Sequence, residues 1–144
     1  MKKEAALEII RWLFLSLFLY AAATKLMDHE KFSAQLGQSP LTTEHAAWIA
    51  WAVPSVEIII VLMLAIPTIR LLALYASFSL MVMFTTYIVI VTQFSPFVPC
   101  SCGGVLQKMG WTEHLIFNIV FVVLGATGII LHQQQKLKLK TPVP

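Results

Sequence analysis

Four long apolar blocks, at about 7–24, 46–66, 71–93 and 112–132, leave this chain few folds to choose from. A helix that crosses a bilayer needs about 20 residues, so four crossings take about 80. With their connections they consume the 144 residues, and no separate soluble domain fits beside them. Only 12% of the residues are charged, whereas a soluble domain carries about 25%, too few here to coat a globule in water. The expectation is an all-α integral membrane four-helix bundle, one transmembrane domain over 1–144 with a polar tail at 133–144.

The connections refine that picture. Lys2 and Lys3 precede an apolar run that ends in Ala21-Ala22-Ala23, a pattern shared with cleavable signal peptides. Glu4, Glu8 and Arg11 instead make a charged helical lead-in, and cleavage would leave three spans, so a retained first helix is expected. In the polar stretch 25–43, Asp28 is placed to cap a brief helix, Phe32 and Leu36 share one of its faces, and Gly37 followed by Ser39-Pro40 is placed to end it. This predicts a short interfacial helix between spans one and two. Thr42 or Thr43 is placed to cap span two, where Trp48 and Trp51 suit a membrane interface and Pro54 predicts a kink. Thr112 is placed to cap span four. The Lys-Leu alternation of the tail reads as a solvated end.

An even number of spans puts both termini on one side. That side collects Lys2, Lys3, Arg11, Arg70, Lys136, Lys138 and Lys140, and the other collects Lys25, Lys31 and Lys108. The excess of bases places both termini in the cytoplasm. Bases beside membrane spans serve topology and lipid headgroups, so the net charge of +3 points to the lipid bilayer as a partner and not to nucleic acid.

Both cysteines fall in the connection after span three, in Pro96-Phe97-Val98-Pro99-Cys100-Ser101-Cys102-Gly103-Gly104. The orientation puts this loop outside, in an oxidising compartment where the thiols can pair. A disulfide across one intervening residue is strained, and strained bonds exchange readily. Three readings stand: reversible exchange, which the spacing favours; a passive pair; and a soft-metal site for Cu(I). His114, one turn into span four, is placed either to raise the thiolate fraction of a cysteine or to bond at the interface. Asn118 shares its face as interhelical glue. Glu57 is a carboxylate at bilayer depth, where it costs about 2.5–3.5 kcal/mol on insertion scales. It is expected to face the interior, with Lys25, Tyr87 and Asn118 as candidate partners, and either to handle protons or to fix packing. Lys25 and Asp28 read as rim charges that ion-pair, and Trp111 as an aromatic-belt anchor. The sequence has no phosphate loop, dinucleotide fingerprint, zinc pair or haem motif, and no set of ionisable residues that would suit a transporter.

Taken together, Lys25-Leu26-Met27-Asp28, Phe32, Pro54-Ser55-Val56-Glu57, Cys100-Ser101-Cys102-Gly103-Gly104 and Trp111 with His114 and Asn118 resemble the MauE/DoxX-like family of membrane proteins over about residues 5–132. The family's pattern places a Phe after the second cysteine, where this chain has Gly103. The resemblance implies a redox-associated bacterial inner-membrane protein, linked through MauE to methylamine metabolism and to maturation of a disulfide-rich partner. It also includes a distant likeness to bundles that couple thiols to quinones, but no residue here matches a quinone site, so no cofactor is assigned. The function expected is thiol-disulfide exchange by Cys100 and Cys102 on a periplasmic or membrane redox partner, aided by His114. A non-catalytic docking subunit and a Cu(I)-handling protein are the alternatives.

Overall fold

The computed structural model of the chain describes residues 1–96 and 110–140. They form helices α1 (Lys2–Met27), α2 (His29–Gln38), α3 (Ala46–Ala65), α4 (Arg70–Phe94) and α5 (Trp111–Lys140), with no strand among the described residues. Four of them, α1, α3, α4 and α5, are long and apolar enough to cross a membrane. The all-α four-span expectation therefore holds, with α2 the short helix between the first two spans.

Each span buries one stripe. In α1 it is Leu7, Ile10, Phe14, Phe18 and Ala22, and in α3 it is Ala50, Pro54, Glu57, Ile60 and Leu64. These steps of three and four residues follow one face of a helix. The opposite faces are equally apolar, with Ile9, Leu13 and Leu19 exposed on α1 and Ile59 and Leu62 on α3. Surfaces apolar all round are what a lipid solvent requires. The spans close into a ring, in which α1 and α4 each pack against both α3 and α5. Phe14 sits at its centre, fully buried, with its ring 5.4 Å from Phe121 edge-on and 5.9 Å from Phe18. Gly125 lets α5 approach here. A Cβ at that position would lie 3.3 Å from Phe78 and 3.4 Å from Phe14. Small residues at such contacts are how helices pack closely in lipid, where no hydrophobic force drives them together.

Polar contacts tie the two termini to one end of the bundle. Lys3 Nζ donates to Gln134 Oε1 at 2.9 Å, and Gln135 Nε2 donates to Glu4 Oε1 at 3.0 Å. Glu8 of α1 pairs with Arg70 at the start of α4 at 2.8 Å. Residues 133–140 continue α5 as helix, and most of their side chains are exposed.

At the other end α2 lies on the first half of α3. Its buried Phe32 and Leu36 pack around Ala50, and the ring of His29 stands 4.1 Å from that of Trp51. Several local details differ from expectation. Asp28 stands between α1 and α2, but its side chain makes no cap bond. Helix α2 runs through Gly37 to Gln38. Thr42 Oγ1 donates to the Leu36 carbonyl at 2.6 Å, and Thr43 Oγ1 donates to that of Ser39 at 2.6 Å. The threonines therefore close the end of α2 instead of capping α3, satisfying carbonyls that a helix terminus leaves open. Pro54 stands where expected, buried inside α3. Helix α5 begins at Trp111, so Thr112 lies inside it, and Glu113 Oε2 accepts from the Gly110 N–H at 3.1 Å. The hydroxyls of Ser77, Thr85, Thr86 and Thr92 donate to carbonyls of α4 itself.

Candidate functional site

The site grows out of Glu57. Its stripe on α3 forces the carboxylate into the bundle, where the residue is fully buried. A carboxylate there needs a cation, and Lys25 supplies it from the last turn of α1. Lys25 Nζ donates to Glu57 Oε1 at 2.5 Å. The ammonium also lies 5.7 Å from the ring centre of Phe32 on α2 and 5.5 Å from that of Phe84 on α4. Both distances are within the reach of a cation–π contact. Three helices besides its own thus surround one lysine head.

The pairing resolves the candidates offered for Glu57 in favour of Lys25, and it removes Lys25 from the rim. Asp28 is exposed on the connection between α1 and α2, and the lysine turns inward to Glu57. The reason is energetic: an exposed ion pair contributes at most about 1 kcal/mol, whereas an unpaired buried carboxylate is strongly destabilising.

Beside the pair lies a cavity of about 750 Å³. Its walls come from α1, α2, α3, α4 and α5 and are mostly aliphatic and aromatic, with Lys25, Glu57, His114 and Asn118 among the polar side chains that line it. Asn118 is buried, and His114, one turn nearer the start of α5, is half-buried. Two polar atoms here have no hydrogen-bond partner among the described residues: Glu57 Oε2 and Asn118 Nδ2. Trp111, expected as a belt anchor, also lines the cavity.

Cys100 and Cys102 lie outside the described residues, as does Lys108. Their place in the chain is fixed by its neighbours. The connection 97–109 leaves from the end of α4 and returns to the start of α5, the end of the bundle that holds Lys25, α2 and the cavity. Phe84 and the cavity itself carry no signal in the sequence. Phe84 is one apolar residue in an apolar span, and only the assembled ring shows that it faces Lys25.

Four membrane-length helices around a buried ion pair and an apolar cavity define a multi-pass membrane protein. The family model described as methylamine utilisation protein MauE matches residues 3–131. The chain belongs to that family. No match is found among curated proteins or among solved structures.

Proposed function

We propose that this chain is a membrane thiol-disulfide exchange protein serving redox maturation in methylamine utilisation, with Cys100 and Cys102 as the exchanging pair. The observation that supports the reading is that both cysteines fall on the one connection between α4 and α5, and that α5 opens with Trp111 and His114, which line the cavity. In the exchange, a thiolate of the partner attacks one sulfur of the Cys100–Cys102 disulfide, and the other sulfur leaves as a thiolate. A second partner thiolate then attacks the mixed disulfide. The partner gains a disulfide and the pair leaves as a dithiol, so one bond forms for each one broken. His114 takes up or returns a proton at the leaving sulfur. Lys25 and Glu57 hold the spans in register beneath the loop.

The membrane is the bacterial inner membrane, with both termini cytoplasmic and the cysteine connection periplasmic. The bases support this orientation. Lys2, Lys3, Arg11, Arg70, Lys136, Lys138 and Lys140 share the terminal end, against Lys25, Lys31 and Lys108 on the other side.

Labelling intact cells with a membrane-impermeant maleimide tests this. The chain has only two cysteines, so no background variant is needed. The expected result is no labelling before treatment with reductant and labelling of both cysteines after it. Equal labelling without reductant, or none after it, contradicts the proposal.

A further inference from the structure

We infer that the cavity between the spans binds an uncharged lipophilic alcohol or phenol, held by its hydroxyl between Asn118 and Glu57. This inference stands on the described residues alone and is independent of the cysteine chemistry. Among the described residues, Asn118 Nδ2 is a donor without an acceptor, and Glu57 Oε2 an acceptor without a donor. Both residues line the same cavity, and they are 3% and 0% exposed. Leaving such groups unmet costs about 1–3 kcal/mol each. A single hydroxyl seated between the two would meet both, accepting from the amide and donating to the carboxylate.

Two further observations narrow the ligand. Lys25 and Glu57 already balance each other, so a charged head would leave an unmatched charge inside the bundle. A water molecule would satisfy the same two atoms, but it would leave most of a cavity of about 750 Å³, walled by residues such as Phe84 and Phe121, without contacts. That volume is in the range of small-molecule sites, about 300–1,000 Å³. The ligand is therefore a molecule with one hydroxyl head and a bulky apolar body, of a kind that partitions into the bilayer.

The test compares a dodecyl-substituted phenol with its methyl ether, which keeps the apolar body and loses the donor. The full chain is purified in detergent, and the melting temperature is followed against the mole fraction of each probe in the micelle. The phenol is expected to raise the melting temperature saturably, with half-saturation at about a tenfold lower mole fraction than the ether, the effect of one or two hydrogen bonds. Asn118→Leu is expected to erase the difference between the probes, and Asn118→Ala makes the same test if the leucine variant fails to fold. Equal binding of phenol and ether, binding of neither, or an unchanged preference in a folded Asn118 variant overturns the inference.

Discussion

Replacing Lys25 with methionine is expected to destabilise the bundle by about 3–5 kcal/mol, the usual effect of removing one partner from a buried ion pair. Lys25 is 18% exposed and Glu57 is not exposed at all, so the carboxylate is the group stranded by the change. The variant also removes the ammonium from between Phe32 and Phe84 and loosens α2 and α4 around it. The same principle sets the companion result. A double variant, Lys25→Met with Glu57→Leu, leaves no charge to strand and is expected to regain most of the loss. Unfolding of the three proteins by titration with a denaturing detergent measures both effects. If Lys25→Met unfolds no more easily than the parent chain, the pair does not hold the bundle.

The second large effect is expected at Phe14. In water, truncating a buried Phe loses a transfer term and a cavity term. In lipid the transfer term fades, since the membrane is as apolar as the core, and packing remains. Removing the ring opens roughly 100 Å³, and at about 24 cal/mol per Å³ this is a loss of about 2 kcal/mol for Phe14→Ala. The ring touches α5 at Phe121 and the space beside Gly125, so the α1–α5 contact is the one that weakens. Denaturing-detergent titration of the variant checks the size. A loss below about 0.5 kcal/mol would mean that neighbours close the space, as sites that collapse well do.

Much of this architecture is legible in the sequence. Span length and the sparse charge forced four helices, and the parity of spans put the termini together. Glu57 stood out because a carboxylate in a span needs an explanation. Its partner was harder to read, since Lys25 sits near a helix end, where a lysine ordinarily reaches for the surface. Only the closure of the ring shows that its stem runs inward. Thr42 and Thr43 were misread for a similar reason: their side chains satisfy carbonyls behind them in the chain, and sequence order alone favours the helix ahead. The polar end of α5 is mostly exposed, as its Gln and Lys suggest, but the bonds of Gln134 and Gln135 to α1 lie 131 residues away in sequence and carry no local signal. The cavity had no signal of any kind, because its walls are drawn from five helices and most of its residues are ordinary for a membrane span.

Covalent trapping tests most directly the proposal that Cys100 and Cys102 exchange disulfides with a partner. Cys100→Ser and Cys102→Ser are expressed separately in a host that uses methylamine, and membrane extracts are run on gels without reductant. In one of the two variants the remaining thiolate attacks the partner's disulfide, expelling a partner thiolate, and no second cysteine follows to release the mixed disulfide, so a covalent adduct with a second protein is expected, and it is released by reductant. Should neither variant form an adduct while the double serine variant supports growth on methylamine as well as the parent chain, the exchange reading is wrong and the chain acts as a docking subunit.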